Sequence, residues 1–186
     1  MRLFVAIHLP ESIRTSMASL LQELRPIGPS IKWIKIENLH LTLKFLGNTD
    51  ASKLDSILKT LVMIRSEDSI SVNFTGLGFF PNRRRPNILW AGIQASPNLQ
   101  IIVKEIDQRL AVLGFPLEQR EFTPHLTLAR LAETALPPKW IAAIGQISSR
   151  EFGSFRATQF HLIESELKSS GAEYTTLHSF SFVAEA

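Results

Sequence analysis

The tetrapeptide HLTL occurs twice in the chain, at residues 40–43 and 125–128, 85 residues apart. At average residue usage it is expected on the order of once in 10⁵ positions, so two copies in one short chain mark a duplicated element. On a β-strand, successive side chains point to opposite faces. Leu41 and Leu43 then enter a hydrophobic layer, while His40 and Thr42 share the other face, about 7 Å apart along the strand. Leu126 and Leu128 against His125 and Thr127 repeat the arrangement. If the two strands face one another, the space between them receives two imidazoles and two hydroxyls. That set suits a phosphodiester reaction without a metal. Water attacking phosphorus must lose a proton and the departing oxygen must gain one, and histidine titrates close enough to neutrality to do either. Threonine hydroxyls can donate to the non-bridging oxygens.

The bland reading is two polar strand faces meeting solvent, the usual fate of a lone H-x-T-x. A repeated motif argues against it. Two histidines without a neighbouring thiol or acidic ligand make a poor zinc site, so no metal and no cofactor is expected. Arg130, just beyond the second motif, is placed to clamp a phosphate bidentately. Phe45 stands at its equivalent in the first copy and reads as core packing. Arg83, Arg84 and Arg85 form a basic run suited to steering a polyanion. Trp33, Phe79, Phe80 and Tyr174 are candidates to stack on a base, although aromatics at strand positions are more often core. His8, His161 and His178 lack a threonine two residues on and read as structural or surface groups.

The elements that must hold these groups come in two passes of strand, helix, strand, helix, strand. In the first, Arg2–Leu9 reads as a strand ended by Pro10. Ser12 to about Leu24 reads as a helix with Ile13, Met17, Leu20, Leu21 and Leu24 on one stripe. Pro26-Ile27-Gly28-Pro29 is a loop, Ile31–Ile36 a short strand and Leu39–Leu46 the motif strand. Asp50 caps a helix carrying Leu54, Ile57, Leu58 and Leu61, and Ser69–Phe80 is a long strand. The second pass runs through strand Asn87–Gln94, helix Asn98–Leu113, strand Glu121–Ala129, helix Pro138–Ile147 and strand Phe155–Ser165. A turn at Lys168–Gly171 then leads into a last strand, Glu173–Val183. A shift of 85 residues carries the Ala51–Met63 helix onto Leu136–Ile147 and the apolar run around Phe74 onto that around Phe160. The fold class expected is α+β: a single bilobal domain over 1–186, with repeat halves near 1–80 and 87–165 and strand 173–183 completing the sheet. Its two pseudo-twofold-related lobes set antiparallel sheets against a central cleft and helices outside.

Composition agrees. Of 186 residues, 45% are apolar and 20% charged, which excludes disordered and fibrous classes. The absence of cysteine removes disulfides and thiolate chemistry. The N-terminal apolar run is too short for a signal peptide and no stretch is long enough for a membrane helix, so a cytoplasmic protein with no membrane association is expected. The net charge of +3 suits a polyanionic substrate.

These segments carry a family resemblance. RLFVAI at 2–7, WIKIENLHLTLKFLG at 33–47, FPNRRRPNILW at 80–90, FTPHLTLAR at 122–130 and the looser LIESEL at 162–167, followed by Gly171 and Tyr174, resemble the two-histidine phosphoesterase superfamily. Within it the chain is most similar to the bacterial and archaeal RNA 2′,3′-cyclic phosphodiesterases, historically called 2′-5′ RNA ligases. The resemblance implies a bilobal fold with both motifs in the cleft and hydrolysis of RNA 2′,3′-cyclic phosphate ends to 2′-phosphates without a metal. It also implies reversible 2′-5′ ligation as a secondary reaction. By the same resemblance His40 is the proton donor and His125 the acceptor, an order that the residues alone leave open. The substrate-binding set is then Arg130, Tyr174, Arg84 and Arg85, the partner is RNA, and the protein is a monomer. Two other readings stand beside this one. One is a non-catalytic RNA-end-binding module; the other is action on a different cyclic or 2′-5′ phosphoester.

Overall fold

The computed structural model describes residues 1–27, 31–131, 137–169 and 171–182. Among them are β1 (Arg2–His8), α1 (Glu11–Leu24), β2 (Lys32–Trp33), β3 (His40–Asn48), α2 (Leu54–Leu61), β4 (Ile70–Phe80) and β5 (Ile88–Ala95). There follow α3 (Asn98–Ala111), β6 (His125–Arg130), α4 (Pro138–Gln146), β7 (Glu151–Ala157), β8 (Gln159–Lys168) and β9 (Gly171–Ser181). The expectations at Gly28, Pro29, Leu136, Ser170 and Val183 lie outside the described residues. Among the described residues no helix is long and apolar enough to cross a membrane.

Two antiparallel sheets, ordered β3-β1-β8-β9 and β2-β6-β5-β4-β7, make an α+β fold. The orders correspond strand for strand: β3 matches β6, β1 matches β5, and each motif strand pairs with the first strand of its own half. The third position is exchanged. β4, from the first half, lies beside β5, while β8, from the second half, lies beside β1. The 85-residue shift that brings Phe74 near Phe160 is therefore a relation between strands in opposite sheets.

The elements follow their apolar patterns. Ile13, Met17, Leu20, Leu21 and Leu24 of α1 are all buried, and Ile13 packs onto β7 beside Gly153. Asp50 caps as expected by accepting from the Ser52 amide at 2.8 Å, but what it starts is a 3₁₀ turn, Ala51–Lys53, ahead of α2. The strand read over Ile31–Ile36 is only the two residues of β2, because Ile36–Asn38 turns as a 3₁₀ helix. The single strand read over Phe155–Ser165 is two. The chain leaves the five-stranded sheet at Ala157 and joins the four-stranded one at Gln159. No glycine or proline marks that crossing, and the Thr158 carbonyl accepts from the Phe182 amide at 3.1 Å.

Both motif strands carry a β-bulge at the same place. Opposite β3, Val5 pairs with Lys44 and Ala6 with Thr42, so Leu43 has no partner. Opposite β6, Leu89 pairs with Ala129 and Trp90 with Thr127, so Leu128 has none. A bulge flips the alternation beyond it. Leu43 and Lys44 are consequently both buried, as are Leu128 and Ala129. Strict period two places Phe45 in the core; the bulge turns it outward instead, and it is 67% exposed.

The buried Lys44 ammonium pairs with Asp107 of α3 and donates to the Pro116 carbonyl at 2.9 Å. Removing Lys44 leaves the Asp107 carboxylate, 17% exposed, with the Glu118 amide as its remaining donor. Lys44→Ala is expected to lose about 1–3 kcal/mol of unfolding free energy in a urea titration. The double replacement Lys44→Met with Asp107→Leu should recover most of that loss, since it removes both charges at similar volume.

Candidate active site

β3 and β6 open with the same burial sequence. His, the first residue, is partly exposed, Leu is buried, Thr is partly exposed, two buried residues follow, and the sixth is exposed. Leu41, Leu43, Leu126 and Leu128 are in the core, and His40, Thr42, His125 and Thr127 look the other way. The exposed sixth residues are Phe45 and Arg130, delivered to this face by the bulges.

The two strands approach each other where the sheets meet. A cleft there, about 610 Å³ including its open mouth, is lined by His40, Thr42, Phe45, Arg2, Phe4, Ser165 and Tyr174 from one sheet. Thr127 and Arg130 line it from the other, with Ile34 and Asn38 from the β2–β3 connection. His125 stands beside this cleft, two residues before Thr127 on the same face of β6.

The imidazoles are held alike. His40 Nδ1–H donates to the Asn38 carbonyl at 2.8 Å, and His125 Nδ1–H donates to the Thr123 carbonyl at 2.8 Å. A carbonyl only accepts, so each ring carries its proton on Nδ1 when neutral and leaves Nε2 for other work. The Asn38 side chain is itself fixed by donating to the Ala172 carbonyl at 2.7 Å. The orienting groups Asn38 and Thr123 escape sequence reading because the contact is made by backbone carbonyls, which leave no common residue type.

Their surroundings differ. His40 lies 4.7 Å from the Phe4 ring and 5.3 Å from Tyr174. Burial pushes its pKa down to about 4; the Asn38 carbonyl works against this, and nearby His8 adds to it. His40 is thus neutral at pH 7 in the free protein. His125 meets the edge of Phe80 at 4.9 Å. His8 and His161 sit ring to ring at 4.1 Å and bond Thr176 and Ser179. Burial lowers both, with Arg14 also acting on His8, and His161 falls to about 4.

Of the residues the sequence singled out, His40, Thr42, Thr127, Arg130 and Tyr174 line one cleft. Arg83, Arg84 and Arg85 are exposed on the β4–β5 connection, outside the lining, with the Arg84 and Arg85 amides donating to Asn82 Oδ1. Trp33 is half-buried against Trp140 and Phe79 is buried. Phe45, Phe4, Arg2 and Ser165 join the site without having been singled out for it by sequence; for Phe45 the only signal is its equivalence to Arg130. Among the described residues no group of three or more His, Cys, Asp or Glu is placed to hold a metal ion.

Known proteins share this framework. The "LigT like Phosphoesterase" family matches residues 7–90 and again 93–174, once in each half. An RNA 2′,3′-cyclic phosphodiesterase of Methanocaldococcus jannaschii is 37% identical over 177 residues, 95% of this chain and 98% of that protein. One from Methanothermobacter thermautotrophicus is 30% identical over 96% of this chain and 97% of its own. Among solved structures, TT0787 of Thermus thermophilus superposes with a TM-score of 0.83 at 29% identity, covering all of both chains. E. coli LigT complexed with 3′-AMP superposes at 0.79 with 26% identity, covering 98% of each. The doubled motif strand, the paired sheets and these matches along the whole chain have one explanation: the protein belongs to the LigT-like phosphoesterase family, within the two-histidine superfamily.

Proposed function

We propose that the protein hydrolyses 2′,3′-cyclic phosphates at RNA ends to 2′-phosphates, with His40 as proton donor, His125 as proton acceptor and no metal. The observation that carries this reading is the matched tethering of the two rings. Each has Nδ1–H committed to a carbonyl and Nε2 left over, next to a threonine on the same strand face. A binding module gains nothing from two such tethers, whereas a reaction that takes one proton and gives another needs both. The names of the relatives supply the substrate class.

In this reaction His125 Nε2 takes a proton from water as its oxygen attacks phosphorus. The P–O3′ bond breaks, and His40 Nε2 gives its proton to O3′. The phosphate stays on O2′, and exchange with solvent resets the pair. Thr42 and Thr127 donate to the non-bridging oxygens, Arg130 offers a guanidinium fork to the developing charge, and Tyr174 packs against the ribose from the β9 wall of the cleft. Arg84 and Arg85 attract the backbone from outside the cleft. A donor that is neutral in the free protein needs an explanation, and the substrate provides it: an anionic phosphate entering the cleft stabilises the imidazolium and raises the His40 pKa.

The test uses an oligonucleotide ending in a 2′,3′-cyclic phosphate, with EDTA present. The expected product is a 2′-phosphate. A 3′-phosphate would reverse which oxygen leaves, and loss of turnover with EDTA would overturn metal independence. His40→Ala and His125→Ala should each lower kcat about 10²–10⁴-fold while still binding a 2′-phosphate end; undiminished turnover in either would remove that histidine from the reaction.

The pH dependence separates the roles. A donor must be protonated, so activity falls as pH rises through its pKa. For His40 in the free protein that fall, seen in kcat/KM, begins from about pH 4. In kcat it is displaced to higher pH by the bound anion. A kcat/KM that instead climbs through pH 4 would make His40 the base.

A further inference from the structure

Trp90 takes no part in the reaction above and was not among the aromatics the sequence singled out. In β5 it pairs with Thr127 on one side and Gly78 on the other, so it faces the cleft side of its sheet together with the motif residues. Its ring lies flat on the backbone of β4. A Cβ placed on Gly78 would sit 2.2 Å from Cζ2 and 2.3 Å from Cη2 of the indole. At Gly92, the partner of His125, a Cβ would meet the Thr75 carbonyl oxygen at 2.4 Å and Trp90 Cζ3 at 3.4 Å. β4 thus forgoes a side chain at Gly78, where this ring lies, while Gly92 makes room for the Thr75 carbonyl.

Packing alone is a poor reason for that placement. The indole Nε1 is buried without a hydrogen-bond partner, while the residue as a whole keeps part of its surface open. Phe80 extends the aromatic surface, 5.2 Å from Trp90, and turns its edge to His125. Beyond Phe80 the chain continues into the exposed Arg83, Arg84 and Arg85. The aromatic pair therefore starts beside the second motif and leads along the chain into a run of three exposed arginines.

We propose that Trp90, with Phe80, is the stacking platform for the nucleobase of the terminal nucleoside, and that the RNA leaves the site past Arg83–Arg85. This rests on the function proposed above. The indole lies on β5, the strand beside Thr127 and about 4.8 Å away, so a nucleoside whose phosphate is held at Thr127 and that extends to this side lays its base on the ring. Every base offers a flat face, so the platform accepts all four and discriminates against an end without a base.

The test compares kcat/KM for two oligonucleotides, one ending in adenosine 2′,3′-cyclic phosphate and one in the abasic ribose 2′,3′-cyclic phosphate. The native protein is expected to favour the adenosine end roughly 10- to 100-fold, the range that base–aromatic stacking supplies. In Trp90→Leu that ratio should collapse toward one, and in Trp90→Phe fall between. A ratio that survives Trp90→Leu, or a native protein that does not distinguish the two ends, overturns the platform. If Trp90→Leu does not fold, indole fluorescence decides, measured with adenosine 2′-phosphate and abasic ribose 2′-phosphate on Trp33→Phe protein, in which Trp140 is fully buried. Quenching by the first and not the second supports the platform, and equal response overturns it. If neither oligonucleotide is turned over, the proposed hydrolysis is what fails, and the fluorescence comparison still judges the platform.

Discussion

The pleat of two β-strands, both interrupted at the same position of the motif, governs the arrangement of this site. Up to the bulge, alternation sends leucine into the core and histidine and threonine to the opposite face. At the bulge two successive residues turn inward, and the next one comes out on the side of the cleft. Without the interruption Arg130 would point into the core, where its charge would be costly, and Lys44 would lie on the cleft face instead of against Asp107. The same irregularity therefore supplies the guanidinium to the site and the buried ion pair to the fold.

The two halves use this device differently. Where the second half brings out arginine, the first brings out phenylalanine, so a duplicated scaffold carries a charged group on one side of the cleft and an aromatic one on the other. The histidines diverge likewise. Their tethers match to the tenth of an ångström, yet His40 packs against both Phe4 and Tyr174, whereas among the described residues His125 has a single ring neighbour, Phe80. The orientation is shared but the burial is not, and burial is what pushes the His40 pKa down.

Much of this was legible in the residues. HLTL, read with period two, gave the buried and outward-facing side chains of both motifs correctly, and the apolar stripe of α1 gave its packing face. The misreadings share a cause: they depend on pairing, which a local pattern does not contain. The expected inward position of Phe45 followed from an alternation that only the partner strand β1 interrupts. The break at Thr158 was invisible because β7 and β8 are both extended, with no glycine or proline between them; what parts them is that one bonds β4 and the other bonds β1. The carbonyls of Asn38 and Thr123 left no residue signature, and Trp90 gains meaning only from Gly78 on the strand brought beside it.

The exchange of third strands has a mechanical consequence. The chain passes from one sheet to the other between β1 and β2, again between β2 and β3 and between β3 and β4, and finally at Thr158. Two bodies stitched together at so many points have no single hinge about which to swing apart. The gap between the sheets is set when the chain folds, so little binding energy would go into reshaping the protein around a ligand.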